Sequence, residues 1–120
     1  MGVLAYSAER MSFHFDDAVL AHVQAVVTAK LRRGECFFLS WRDPQVVGGG
    51  RSAIWIHPAI PLNFHYDSVE RPPLDRQLLE EMAIAAHGAG GLDLSDEVHL
   101  SRTAMPAHNT VKRHDLPMTV

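Results

Sequence analysis

Apolar positions recur along this chain with two different periods, which separate short strands from two longer helical segments. Residues 3–6 and 11–15 are short apolar segments, and the polar residues 7–10 between them predict a hairpin turn. Phe13 and Phe15 alternate with His14, so both rings would share one side of the second strand. The chain is therefore predicted to begin as a β-hairpin.

The first helix is predicted between Asp16 and Gly34. Asp16 and Asp17 supply N-cap chemistry and negative charge at the positive end of the helix dipole. Gly34 can adopt the left-handed conformation that ends a helix. The apolar stripe at helical spacing consists of Val19, Leu20, Val23, Val26, Val27 and Leu31.

Three further strands and a second helix follow. The predicted strands cover residues 36–42, 52–57 and 62–66. After the break at Pro72 and Pro73, residues 74–87 have helical periodicity, with Asp75 as an early acidic residue and Gly88 as a stop signal.

These elements predict a single α+β domain over residues 1–94 in the order β-β-α-β-β-β-α. We expect an antiparallel sheet in which the three central strands form a meander, with both helices packed on one face. Residues 95–120 lack sustained periodicity, and we expect them to be a flexible or partner-dependent C-terminal tail.

Alternation divides the three central strands into a buried face and an open face. The buried face is predicted to carry Phe37, Leu39, Trp41, Ile54, Ile56, Leu62 and Phe64. The open face is predicted to carry Phe38, Ser40, Arg42, Trp55, His57, Asn63 and His65. Trp and Arg are favoured at interfaces. The candidate binding face consists of Arg42, Trp55, His57 and His65. Either other parts of the chain or a second copy in a homodimer would cover it.

Composition and charge narrow the function classes. The length of 120 residues suits one domain, and the net charge of −3 argues against a protein that coats DNA through charge alone. Cys36 is the single cysteine, which excludes an internal disulfide and a zinc site built on several cysteines. No signal peptide or membrane span is visible in the sequence, so we expect a cytoplasmic protein with no membrane partner.

The triple glycine at residues 48–50 does not match a phosphate-binding loop. Such a loop requires a lysine after the last glycine and a helix behind it, whereas here Arg51 and a strand follow. We therefore predict a flexible hairpin loop between two strands, with Arg51 near its edge.

The histidines and the single cysteine are the candidate residues for metal binding and nucleophilic catalysis. His57 and His65 would approach each other across a hairpin, which leaves a small metal-binding protein or enzyme as an alternative. No histidine pair has the short spacing of a metal-ligand motif, so no metal site is assigned. Cys36 precedes an aromatic strand and is expected to pack there. No motif implies a cofactor or a catalytic residue.

A group of basic residues supports a second alternative, a protein associated with DNA or RNA. The candidate anion or nucleic-acid patch consists of Lys30, Arg32, Arg33 and Arg51. Helix-dipole compensation explains the residues at the helix end equally well. The order α-β-β-β-α between residues 17 and 88 matches double-stranded-RNA-binding domains at the level of topology.

Several sequence blocks resemble a known family. The blocks FDDAVLAHVQAVVTAKLRRGE, FFLSWRD, GGGRSAIWIHPAIPL, RPPLDRQLLEEM and GGL resemble a family of small actinobacterial domains of unknown function over about residues 1–94. Members are often labelled "ATP-dependent DNA ligase". A ligase needs a lysine nucleophile in a K-x-D-G motif, and neither Lys30 nor Lys112 lies in one. The resemblance implies a shared fold and no catalytic residues.

The leading hypothesis is a small non-enzymatic binding or accessory domain that self-associates through the candidate binding face. A different protein partner is a further option. DNA or RNA binding and a small metal-binding protein or enzyme remain the alternatives.

Overall fold

The computed structural model describes residues 1–95, and these contain six strands and two α-helices. They are β1 (Gly2–Tyr6), β2 (Met11–Phe15), α1 (Asp17–Arg32), β3 (Phe37–Arg42), β4 (Arg51–Ile56), β5 (Leu62–Tyr66), α2 (Arg76–His87) and β6 (Leu92–Asp93). The predicted α+β class and the order β-β-α-β-β-β-α are confirmed, with β6 as an addition. Of the predicted tail, residues 95–120, only Ser95 lies within the described residues.

The strands form two three-stranded sheets. Sheet 1 has the order β2-β1-β5, and both of its pairs are antiparallel. Sheet 2 has the order β4-β3-β6, in which β3 is antiparallel to β4 and parallel to β6. The prediction of one sheet with a β3-β4-β5 meander was therefore wrong, because the strands form two sheets and β5 pairs with β1 and not with β4. The two helices accordingly contact strands of different sheets.

Prolines explain where the meander breaks. Pro58 and Pro61 have no N–H donor, so the connection after β4 cannot continue a regular ladder. Ile60 N donates to His57 O at 3.0 Å, which closes a turn directly after β4. Ser7 N donates to Pro61 O at 2.9 Å, which extends the β1–β5 register by one pair. The connection therefore leads from sheet 2 into sheet 1.

The core lies between the sheets and the helices. Helix α1 contacts β1 and β5, α2 contacts β3 and β6, and the two helices contact each other. The buried face predicted for β3 and β4 is confirmed by Phe37, Leu39, Trp41, Ile54 and Ile56, while Leu62 and Phe64 are partly buried against the same core. Neither described helix is long and apolar enough to cross a membrane.

Aromatic contacts join the two sheets. The ring of Trp41 lies 4.8 Å from Phe13 and 5.3 Å from Phe15 between centroids, in edge-to-face geometry. The Tyr6 hydroxyl donates to the carbonyl oxygen of Trp55 at 2.7 Å, and so links β1 to the outer edge of β4. The core is thus continuous across both sheets.

The loop between β3 and β4 confirms the hairpin predicted for the triple glycine. Asp43 accepts hydrogen bonds from Trp41 Nε1 at 3.0 Å and from the Ser52 hydroxyl at 2.6 Å, and its own N–H donates to Gly50 O at 2.8 Å. Gly48, Gly49 and Gly50 have φ of 113°, 68° and 83°, a region in which side chains are strained. The glycines therefore serve the backbone of the turn.

Candidate binding surface

The outer face of the β3–β4 hairpin carries three rows of directly opposed side chains. The rows are Phe38 with Trp55, Ser40 with Ala53, and Arg42 with Arg51. The prediction that Ser40 is open was wrong: it is 3% exposed, next to β6 and Leu94, so the middle row is exposed only at Ala53. We call this surface the aromatic–arginine face. Hydrogen-bonded and non-hydrogen-bonded residue pairs alternate along an antiparallel hairpin, and Asp43 with Gly50 is a hydrogen-bonded pair. The three rows are therefore non-hydrogen-bonded pairs, in which opposed side chains lie closest.

The aromatic row is open to solvent. Phe38 is 45% exposed and Trp55 is 40% exposed, although both belong to residue types that are usually buried. Their ring centroids lie 4.9 Å apart with an interplanar angle of 60°. The two rings therefore form one continuous apolar platform.

The arginine row contains charge of both signs. Arg51 Nη2 lies 3.9 Å from Asp93 Oδ2 on the neighbouring β6. Hydrogen bonding from Ser95, together with the positive charges of Arg51 and Arg42, holds the pKa of Asp93 below its usual value. This end of the face therefore combines guanidinium groups with an ionised carboxylate.

A cavity of about 430 Å³ adjoins the aromatic row. Its wall includes Trp55 and Phe38 from the hairpin, Lys30 from α1, and Cys36 from the connection between α1 and β3. His87 lies at its rim, where α2 ends. The cavity gives the aromatic platform a concave extension with polar groups on one side.

The polar side of this cavity is an ion pair. Lys30 is only 5% exposed, and its Nζ lies 3.2 Å from Glu35 Oε1. Arg33 Nε lies 3.4 Å from the other oxygen of Glu35. The close ammonium group of Lys30, together with the charge and the hydrogen bond of Arg33, holds the pKa of Glu35 below its usual value.

The structure does not bring all of the candidate binding face together. Arg42 and Trp55 lie on the aromatic–arginine face, and His57 follows directly after β4. The His57 ring accepts a hydrogen bond from Ala59 N at 3.0 Å through Nδ1. His65 lies on β5 in sheet 1, with its Nε2 3.8 Å from Asp67 Oδ1. The hairpin that would have set His57 beside His65 is absent, and Asn63 likewise belongs to sheet 1.

The basic residues of the predicted patch lie in three different surroundings. Lys30 and Arg33 share Glu35, and Arg51 lies beside Asp93. Arg32 lines a groove between α1 and the segment after β5. The four cations therefore do not form one continuous patch.

The burial of two polar residues of α1 was not predicted, although their spacing could have indicated it. Lys30 lies three positions after Val27, and His22 lies three positions after Val19, so both belong to the buried stripe of α1. His22 is 1% exposed; its Nδ1 lies 2.7 Å from Ala18 O, and its Nε2 accepts from Asp75 N at 2.9 Å. These contacts assign His22 to the structure of the domain and Lys30 to the cavity.

Metal-ligating side chains are scattered over the described part of the chain. Within residues 1–95 no group of three or more His, Cys, Asp or Glu side chains is arranged to hold a metal ion. His22 and His57 each accept a backbone N–H in a different part of the fold.

Comparison with known proteins identifies a family and no activity. The family model described as "Domain of unknown function (DUF7882)" matches residues 1–97, a range that includes every described strand and helix. The resemblance to an uncharacterised domain family is thereby confirmed. No curated protein and no solved structure shows significant similarity to the chain.

Proposed function

The chain belongs to the DUF7882 family of unknown function, and we propose that it is a non-enzymatic binding domain that self-associates through the aromatic–arginine face. The observation that carries the proposal is the exposed pair of Phe38 and Trp55 on an open sheet face. Contiguous exposed apolar surface marks interaction sites, and Trp and Arg dominate the binding energy of many interfaces.

The energetic gain from covering this platform supports an interface. The exposed parts of Phe38 and Trp55 amount to roughly 170 Å² if each side chain is taken as about 200 Å². A two-fold dimer removes that area from water on both copies, which contributes about 8 kcal/mol at roughly 25 cal/mol per Å², and association itself costs at least about 4 kcal/mol of it. This gain suits a reversible contact in the micromolar to millimolar range.

The charges around the platform favour a second copy as the partner. In a two-fold dimer the same patch meets itself, so a self-complementary patch needs both charge signs. Arg42 and Arg51 supply the positive groups, and Asp93 supplies a negative group beside them. Two copies related by a two-fold axis would oppose these groups across a shared aromatic centre.

The contact is proposed for the face of the hairpin and not for its edge. Trp55 forms a non-hydrogen-bonded pair with Phe38, so its backbone N–H and C=O point away from β3, towards the free edge of sheet 2. The Tyr6 hydroxyl already bonds the carbonyl oxygen of Trp55 at that edge. Edge-to-edge pairing of two β4 strands would have to break this hydrogen bond.

Sedimentation velocity over a range of protein concentrations tests the proposal. We expect the wild-type protein to dimerise at about 100 µM and Trp55→Ala to weaken the dimer at least tenfold, because a central aromatic contact is lost. His57→Ala, at the end of the face, should weaken it less. Ile84→Ala is the matched control, since Ile84 is 74% exposed on α2 and outside the face.

Two results would contradict self-association through this face. A wild-type protein that stays monomeric up to millimolar concentration contradicts it. A dimer that Trp55→Ala and Ile84→Ala weaken to the same extent also contradicts it, because the aromatic–arginine face would then have no special role.

A second candidate function is the binding of single-stranded nucleic acid to the same face. The arginine row lies four residues from the aromatic row, about 13 Å along the strands, so bases would stack on Trp55 while phosphates meet Arg42 and Arg51. Fluorescence anisotropy with a labelled oligothymidylate of about twelve nucleotides tests it. Binding that weakens steeply with salt supports this function, and no binding at low salt removes it.

A further inference from the structure

The free edge of β5 carries backbone groups that point out of sheet 1. Ser7 N donates to Pro61 O, so Ser7 and Pro61 form a hydrogen-bonded pair. Because such pairs alternate along an antiparallel ladder, Asn63 and His65 direct their backbone groups towards β1. The N–H and C=O groups of Leu62, Phe64 and Tyr66 therefore point to the outer edge, where sheet 1 ends.

A groove of about 650 Å³ runs between α1 and the segment that follows β5. Phe64 and Tyr66 line the groove, so the residues with outward backbone groups also contribute side chains to it. The Tyr66 hydroxyl donates to Gln24 Oε1 at 2.7 Å, which ties β5 to α1 beneath the groove. Burial, with the nearby charge of Asp17, raises the pKa of Tyr66 to about 12, so this hydroxyl keeps its proton at physiological pH.

One wall of the groove carries small side chains, and the opposite wall carries two exposed apolar side chains among polar ones. Helix α1 contributes Ala21, Ala25 and Ala29, which are spaced one turn apart and leave room above the helix. The opposite wall contributes Val69, which is 98% exposed, and Leu74, which is 50% exposed. Apolar side chains of a ligand would cover both walls.

The charges of the groove favour an acidic ligand. Arg32 from α1 and Arg71 from the opposite wall line it together with the single carboxylate of Glu70. Among the described residues, no ion pair within 4 Å involves either arginine. The groove therefore has an excess of one positive charge.

We propose that an extended acidic peptide segment of a partner protein binds this groove as a fourth strand of sheet 1, paired with the free edge of β5. Its backbone bonds the outward groups of Leu62, Phe64 and Tyr66. Every second side chain of the peptide is apolar and enters the groove over α1, because side chains alternate along a strand. An acidic residue of the peptide lies near Arg32 and Arg71.

Amide hydrogen exchange monitored by NMR tests the geometry directly. The free protein should protect the amides of Asn63 and His65 and leave those of Phe64 and Tyr66 in fast exchange. The probes are eight-residue peptides with valine at alternate positions and two aspartates at one end or the other. Binding should protect the amides of Phe64 and Tyr66, whereas a peptide with proline at its central positions should not bind.

Two pairs of protein variants separate the backbone contact and the charge from general damage. Phe64→Pro removes an outward N–H, and Phe64→Ala removes the same ring but keeps that N–H. We expect Phe64→Pro to bind the peptide about tenfold more weakly than Phe64→Ala. Arg32→Glu should weaken binding about fivefold, while Arg10→Glu, the same charge change in the β1–β2 turn, should not.

Three results would overturn the proposal. The first is that no probe peptide protects the Phe64 amide at millimolar concentration. The second is equal affinity of the proline-containing and valine-containing peptides. The third is protection of the Phe64 amide in the free protein that grows with protein concentration, which would assign the edge to a second copy of the chain. None of these results depends on the aromatic–arginine face.

Discussion

At the scale of single residues, Lys30 and Glu35 depend on each other. The Lys30 side chain is buried, and its ammonium group lies 3.2 Å from a Glu35 oxygen that is closed to solvent. Glu35 as a whole is 41% exposed on its side chain, so water reaches its second oxygen. A buried cation beside a half-exposed anion makes the pair sensitive to the ionisation of Glu35.

The first prediction concerns this pair. Lys30→Met should raise the pKa of Glu35 towards its ordinary value of about 4.3, because the ammonium group that lies 3.2 Å from the carboxylate is lost. Arg33→Gln should raise it less, because Lys30 has the larger influence. A carbon-detected NMR titration of the Glu35 carboxyl measures both, and equal values in wild type and Lys30→Met contradict the prediction.

The lowered pKa of Glu35 also sets the sign of a pH effect on stability. A carboxyl whose pKa is lower in the folded state stabilises the fold above its unfolded pKa, and this contribution is lost as the pH falls through the folded pKa. Urea unfolding between about pH 5 and pH 3 should therefore depend less steeply on pH in Lys30→Met than in the wild type. An identical pH dependence would show that the pair contributes nothing.

At the scale of elements, His22 connects α1 to the start of α2. Its Nε2 accepts the N–H of Asp75, and Asp75 Oδ1 in turn accepts from Gln77 N at 2.9 Å and Leu78 N at 3.2 Å. Asp75 is thus the N-cap of α2, and the buried His22 ring holds that cap in place. The position of α2 depends on both residues.

The second prediction is that His22→Leu lowers the free energy of unfolding by about 2 kcal/mol. Leucine occupies a similar volume, so the main loss is the hydrogen-bond partner of the buried Asp75 N–H. Thr28→Val is the control, because it removes an exposed side-chain bond to Gln24 O on the same helix and should cost less than about 0.5 kcal/mol. Urea unfolding measures the free energy of unfolding of both variants, and an equal loss in His22→Leu and Thr28→Val would argue against a special role of His22.

The elements themselves were predictable, but one strand pairing was not. Periodicity identified α1, α2 and five strands, because each has enough apolar positions to show its period. The alternation of Leu62, Phe64 and Tyr66 is the same whether β5 lies beside β4 or β1, so it cannot reveal the partner. Strand β6 has only two residues and no period at all.

The part of the candidate site that lies within one hairpin could be predicted, and the part that depends on strand pairing could not. Alternation within one hairpin placed Phe38, Arg42 and Trp55 on one open face, since β3 and β4 are neighbours in sequence. It could not exclude His65, because that requires the pairing of β5 to be known. The buried position of Lys30 was missed because a cation at the end of a helix was attributed to the helix dipole.

At the scale of the whole molecule, the two sheets share one core through Trp41. This residue belongs to sheet 2, but its ring packs edge-to-face on Phe13 and Phe15 of sheet 1. The bond from Tyr6 to the Trp55 carbonyl joins the sheets at a second point. Because neither sheet has a separate core, we expect them to unfold together.

The third prediction follows from this shared core. Phe13→Ala in sheet 1 should lower the free energy of unfolding by about 2 kcal/mol, because the ring is partly buried against Trp41. Phe38→Ala, which removes an equally large but 45% exposed ring from sheet 2, should cost less than half as much. A Trp41→Phe background leaves Trp55 as the sole tryptophan, so that fluorescence reports on sheet 2 while circular dichroism reports on the whole chain. The wild-type reference for both signals carries the same Trp41→Phe substitution. The two signals should give the same unfolding midpoint in Phe13→Ala, shifted by the same amount from the wild type. A fluorescence midpoint that stays at the wild-type value while the dichroism midpoint falls would mean that the sheets unfold separately, and would contradict a single shared core.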